Sequence, residues 1–224
     1  MNKKLIYRIL IYIVGIFFLA FSVVFSVNCN LGTIAGNMLS YILSVVCNKP
    51  LSTFTTVVFI AYVILQALIL RKDFKLYYLF ELVFTVIFGY FVAVATAVIG
   101  KWIPANYFEQ LVQLFLSLLF TGIGVSFYIN VNLVPMPPEA FSLAIIEKNP
   151  NLSLGKVRII QDVVTVIVSL IISFVCLGGL KGFREGTVIT AILSGVAIDL
   201  CNKPISKIVR KVCFDENDNK KEEA

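Results

Sequence analysis

The sequence predicts an all-α polytopic membrane protein. About six transmembrane helices form two inverted three-helix repeats, each with a short re-entrant or interfacial helix. Three observations predict it. First, 59% of the 224 residues are hydrophobic and 14% are charged, and long apolar runs recur along the chain. A soluble domain of this size would expose too much apolar surface, and the runs lack the alternation of barrel strands, so they read as spanning helices. Second, Asn28, Asn30 and Leu31 match Asn130, Asn132 and Leu133 at a constant offset of 102 residues. Third, on a six-span reading the 19 Lys and Arg residues divide 15 against 4 between the two faces. That bias places both termini in the cytoplasm.

The elements follow in order. Lys3, Lys4 and Arg8 precede a first span of about Ile9–Val27. The run is long for a signal core and no A-x-A site follows, so an uncleaved span is expected. Residues Thr33–Val46 are apolar but reach only about 21 Å at 1.5 Å per residue, short of a hydrocarbon core of about 30 Å. A re-entrant or interfacial helix is expected there, with Thr33 as its cap. Pro50 opens the next helix, with Ser52 as a candidate cap. The second span covers about Thr53–Leu70 and ends at the basic turn Arg71–Lys75. The third covers about Leu76–Ile99 and carries Glu81. Lys101–Tyr107 forms an interfacial connection containing Trp102 and Pro104.

The second half repeats the plan. A fourth span of about Phe108–Ile129 runs into Asn130–Glu139, which holds three of the chain's seven prolines. A short helix of about Pro138–Ile146 follows. The fifth span covers about Gly155–Leu177, the glycine-rich turn Gly178–Gly186 comes next, and the sixth covers about Thr187–Leu200. The chain is one membrane domain, 1–212, with repeats of about 1–103 and 104–212. Residues 213–224 form a charged, disordered cytoplasmic tail. Three crossings per half are odd in number, so the second repeat is inverted, the arrangement of many secondary transporters. If the short helices crossed, the repeats would be parallel and the charges worse sorted.

Composition also excludes functions. The net charge of +6 sits in short segments flanking the spans and no nucleic-acid motif occurs, so no nucleic acid is expected. The chain has no histidine, and its five cysteines include no C-x-x-C pair. Neither a metal site, a cofactor nor an enzyme is expected.

The candidate site residues surround the two breaks. Asn30 and Asn132 occupy the matched positions. Pro137 and Glu139 start the second short helix, whose free N–H groups and dipole favour an anionic or carbonyl group, although Glu139 competes for that field. Two short helices entering from opposite faces would aim both N-termini inward. Arg158 and Asp162, four apart on the fifth span, are placed to pair. An intramembrane pair turns toward water or a partner, or anchors a helix end. Glu81 and Asp199 are weaker candidates for ion or proton coupling, against a bland reading as snorkelling acids. Asn37 and Gln66 read as interhelical glue, and Gly122, Gly124 and Ser126 serve either a dimer or internal packing.

Pro137-Pro138-Glu139, then Gly155, Arg158 and Asp162, Gly178-Gly179, Gly186-Thr187, Gly195 and Asp199 form a recognisable series. The stretch from about 120 to 200 resembles the YczE/YyaS group of bacterial integral membrane proteins, related to the YitT-like proteins. The first half is a looser match, because Asn30–Gly36 lacks a Gly-Pro-Trp-Asp type of motif. The resemblance implies the fold and a bacterial plasma membrane. A secondary transporter or permease for a small polar or anionic solute is expected, in a lipid bilayer and with a homodimer as a candidate assembly. The alternative is a non-transporting membrane partner, an assembly factor or a sensor.

Overall fold

The structure is a computed structural model that describes residues 3–74, 78, 80–152 and 154–214; the side chains at 3, 154–156, 158 and 192 lie outside the description. Of the expected disordered tail, 213–224, residues 215–224 lie outside the described residues, as does the side chain of Arg158.

Backbone groups in hydrocarbon must be paired within their own segment, so the apolar runs become helices. Among the described residues eight α-helices follow one another: α1 Lys3–Asn28, α2 Met38–Cys47, α3 Leu51–Leu70, α4 Phe80–Ile99, α5 Tyr107–Asn130, α6 Pro137–Lys148, α7 Leu154–Leu177 and α8 Glu185–Cys213. No strand occurs among the described residues. Five helices among the described residues are long and apolar enough to cross a membrane. Helix α8 makes a sixth, bent by 42° between Glu185–Ala191 and Leu193–Cys213. The chain is thus compatible with a multi-pass membrane protein. The short helices α2 and α6 have 10 and 12 residues.

Local chemistry sets several boundaries. Asn106 caps α5 by accepting from the Glu109 N–H at 2.9 Å, and Glu109 reaches back to accept from the Ala105 N–H at 2.9 Å. This reciprocal pairing satisfies two donors at the helix start. Pro137 and Pro138 occupy the first turn of α6, where a missing N–H costs nothing. Two expected caps are absent. Thr33 does not cap the first short helix: its N–H donates to the Gly182 carbonyl at 3.1 Å, and a 3-10 turn, Ala35–Asn37, precedes α2. Ser52 lies inside α3, which begins directly after Pro50.

The sixth helix also differs from its expected end at Leu200. It continues through Pro204 to Cys213, because Ile205, Val209 and Cys213 recur one turn apart and are buried against the core. Cys213 therefore ends a helix and does not begin a tail.

Helix α1 packs against α5, α4 and α8, and α5 also packs against α8. The short helix of each half crosses over: α2 packs on α7, and α6 on α3. Inside a membrane such contacts rest on close packing, since lipid is as apolar as leucine. An ideal methyl carbon at Gly124 would lie 2.7 Å from the Gly15 carbonyl oxygen, and one at Gly15 would lie 2.9 Å from that of Gly124. Gly122 meets the Ala197 carbonyl on α8 in the same way, at 2.6 Å. These small residues bring α5 against α1 and α8 within the chain. Aromatic rings fill the flanks of this seam, with Phe18 and Phe120 centroids 5.3 Å apart and Phe17 and Phe91 at 5.4 Å.

Gly124→Val should therefore overpack the α1–α5 crossing by about 1–3 kcal/mol and lower the melting temperature in detergent. Gly195→Ala, which enters open space, should leave it unchanged.

Candidate functional site

The two matched asparagine segments are where helix hydrogen bonding stops. Asn30 and Asn132 both adopt left-handed backbone, with φ of 55° and 48°. Asparagine tolerates that conformation better than other non-glycine residues. Each break then leaves carbonyls that its own helix does not pair. At one break, the Arg8 Nε donates to the Val131 carbonyl at 2.7 Å and an Arg8 terminal nitrogen donates to the Asn132 carbonyl at 2.5 Å. The Arg8 guanidinium also lies 5.1 Å from the Phe214 ring centroid. At the other break, the Arg184 Nη1 donates to the Asn30 carbonyl at 2.8 Å. There the Gly186 N–H also donates to the Leu31 carbonyl at 2.7 Å, an approach that a side chain at Gly186 would obstruct.

The preceding asparagines tie each break to the last long helix of its own half. The Asn28 side-chain amide donates to the Ile99 carbonyl at 2.8 Å, and the Asn130 amide donates to the Asn202 Oδ1 at 2.6 Å. The two bonds join corresponding points: the breaks are 102 residues apart and the acceptors 103.

Between the breaks lies a cavity of about 90 Å³. Ile34, Gly36 and Asn37, just before α2, form one part of its wall, and Pro138 and Glu139, at the start of α6, form another. Both short-helix N-termini thus open on one space. Ser22, Thr121, Ser142, Gln161 and Asp162 supply further polar wall, and Phe59, Phe88 and Val125 supply apolar wall. Ser22 and Thr121 share a hydrogen bond of 2.5 Å between α1 and α5. The Ser142 hydroxyl donates to Gln161 Oε1 at 2.6 Å, joining α6 to α7. An ideal methyl carbon at Gly36 would sit 3.6 Å from Asp162 Oδ1, so this acid of the second half faces the first break. By liquid-water volume the space holds about three molecules.

Gln161 also lines a second, apolar cleft of about 340 Å³ among α2, α3, α6 and α7, together with Tyr62, Phe141 and Thr165. The Tyr62 and Thr165 hydroxyls meet at 3.1 Å.

The expected site residues divide into three sets. Glu139 and Asp162 are brought together in the cavity wall, beside Pro138. Pro137 is buried at the first turn of α6, but its neighbour is the lining residue. Asn30 and Asn132 do not line the cavity; they are exposed, and their carbonyls are held by arginines. Of the weaker candidates, Asp199 is exposed on α8. Glu81 is fully buried between α3 and α4, away from the cavity, and accepts from the Gln66 amide at 3.2 Å. The hydroxyls of Ser22, Thr121 and Ser142 were not singled out from the sequence. Their only sequence signal is a polar residue inside an apolar helix, and Ser26, Ser117 and Ser169 share it without lining the cavity. No group of three or more acidic, cysteine or histidine side chains placed to hold a metal occurs among the described residues.

The comparison with known families fits this architecture to a group without an assigned activity. Residues 6–203 match the model of a family of unknown function, DUF6198, and the chain belongs to that family. No curated protein and no solved structure matches it.

Ser142→Ala should leave Gln161 Oε1 without its hydroxyl donor inside the wall and cost about 1–3 kcal/mol. A lowered melting temperature in detergent would register it, and a variant as stable as wild type would mean that Gln161 finds water there.

Proposed function

We propose that this chain is a small-solute secondary transporter of a bacterial plasma membrane, built from two inverted three-helix repeats, with both termini in the cytoplasm. The observation that carries the reading is the convergence of two helix starts, one from each half, on one cavity of mixed polar and apolar wall amid apolar helices. Broken helices that meet near the midplane are how many secondary transporters build a solute site. The positive dipole ends of α2 and α6 suit a carboxylate or carbonyl of the solute. Glu139, Asp162 and the amides of Asn37 and Gln161 suit its donor groups. A small zwitterionic or polar solute matches that mixture best. The resemblance to the YczE/YyaS group belongs to the same reading.

The arginine contacts suggest how access would alternate. Arg8 braces the break nearer the N-terminus of the chain's first helix, and Arg184 braces the break at the α7–α8 turn. Release of one brace while the other holds would open one face at a time. The rocking unit would be one half against the other, with the crossed-over short helices α2 and α6 carrying the motion to the cavity.

Protein reconstituted into liposomes should take up or exchange a small polar solute in a broad screen. Glu139→Gln and Asp162→Asn should each reduce that flux by about tenfold or more while the protein stays folded, the loss of one charge-assisted hydrogen bond. Flux by neither wild type nor any variant, or equal flux by all three, would contradict the reading. The topology has its own test. If α2 returns to the face it left, Cys47 and Cys176, both exposed, lie on the outer face. Single-cysteine variants retaining either one should react with an impermeant maleimide in intact cells. Cys29 should stay silent, because burial pushes its thiol up and keeps it protonated. Labelling of Cys47 only after permeabilisation would mean that α2 crosses the membrane.

A further inference from the structure

A second polar cluster lies outside the cavity, at the α3–α4 contact. Glu81 is 0% exposed, Gln66 1% and Thr85 0%. The Gln66 Nε2 donates to Glu81 Oε1 at 3.2 Å, the one hydrogen bond of this group to a described partner. Three oxygens remain without a partner among the described residues: Glu81 Oε2, Gln66 Oε1 and Thr85 Oγ1. Thr85 follows Glu81 by four residues and so shares its face of α4, while Gln66 projects from α3. One carboxyl, one amide and one hydroxyl therefore present acceptor oxygens to the same dry helix contact.

An anionic carboxylate with one neutral donor is costly in such a place. A compensating positive charge would remove that cost. Among the described residues no charged side chain supplies it. Helix α4 packs against α1 and α3. The described charged residues on α1 and at the exit of α3 are Lys4, Arg8, Arg71, Lys72 and Asp73. None bonds to Glu81 among the described residues. Arg8 serves the Val131 and Asn132 carbonyls, and Asp73 pairs with Lys148. Arg71 and Lys72 are exposed. Tyr12 of α1, whose ring centroid lies 4.4 Å from that of the neighbouring Phe84, directs its hydroxyl to Met136.

We infer that Glu81, Gln66 and Thr85 form a binding site for one small monovalent cation, a proton or a sodium ion, between α3 and α4. Both ligands share one chemistry: a single positive charge that neutralises the carboxylate and engages otherwise idle oxygens. A proton on Glu81 turns the carboxyl into a donor, with the amide oxygen and the hydroxyl as acceptors. A sodium ion would take the same three oxygens as ligands, completed by backbone carbonyls or water, as hard cations prefer. The site deepens the transport reading, because its cation would be the driving ion. Its existence as a binding site does not depend on transport.

The test is the melting temperature of the purified full chain in detergent, followed across pH and with sodium exchanged for N-methylglucamine at constant ionic strength. A ligand that binds only the folded state raises stability as its concentration rises. A proton taken up on folding likewise makes stability rise as pH falls. Wild type should gain stability with sodium, or with falling pH beyond the change common to its other acids. Glu81→Gln, near-isosteric and neutral, should lose that response, and it should be at least as stable as wild type at high pH without sodium. Thr85→Val separates the sources: it should weaken a sodium response by removing a ligand, but retain a pH response carried by the carboxyl. Equal sodium and pH dependence in wild type and both variants would overturn the site. If Glu81→Gln does not fold, a Thr85→Val protein with a wild-type sodium response and a wild type with no excess pH response would overturn it equally. A cation response lost in Glu81→Gln alongside unaltered solute flux would retain the site and remove only its role as driver.

Discussion

A membrane helix ends on carbonyls that its own segment cannot pair, and something else must take them. That constraint organises this chain. Two long helices, α1 and α5, end at matched asparagines, and each end exposes carbonyls that no residue of its own helix can pair. Two arginines from distant parts of the sequence supply the missing donors, Arg184 for Asn30 and Arg8 for Val131 and Asn132. An arginine suits this role because its charge does not titrate and its planar fork can serve two carbonyls at once. With the ends secured, the chain can turn back, and the short helices that follow begin inside the bundle.

The cavity is a consequence of that turning back. A helix that begins inside the bundle brings the positive end of its dipole with it. Two such starts meeting in one space create a polar interior that continuous spans would not. The neighbouring helices adapt by placing hydroxyls and amides there, and they pair with one another across elements: Ser22 with Thr121, and Ser142 with Gln161. Those bonds join α1 to α5 and α6 to α7, so the cavity wall also ties the helices that form it. The glycine contacts between α1, α5 and α8 hold the remaining helices close enough to enclose the space.

Much of this was legible in the sequence, and the reason differs by feature. The breaks were legible because asparagines recur there at a constant offset, beside glycines in one break and prolines in the other, all of them costly inside a helix. The short helices were legible from length alone. Glu139 and Asp162 stood out as acids in apolar surroundings, and both reach the cavity. The arginine braces were not legible, because their partners lie 123 to 154 residues away and are backbone atoms without side-chain identity. The sequence marks Asn30 and Asn132 as candidate site residues, whereas the chain uses their tolerance of left-handed backbone. The continuation of α8 past Leu200 was hidden by basic residues that alternate with Ile205 and Val209; a charge count reads such a stretch as tail, although one face of it is core. The cavity hydroxyls carry no periodic signal, since serine and threonine in a membrane helix commonly bond back to their own carbonyls, as Thr55 and Thr96 do.

The most direct test of a shared cavity between the two breaks is its accessibility from each face. Thr121 lies at the middle of α5 in the cavity wall, and cysteine there is close to isosteric. A Thr121→Cys protein without the five native cysteines would be placed in right-side-out and inside-out vesicles and exposed to a small impermeant thiol reagent. On the proposed alternating access, reaction from both faces is expected, because each brace would release in turn. Reaction from neither face, or from one face under every condition tried, would mean that the cavity is a static packing feature and that the chain does not alternate around it.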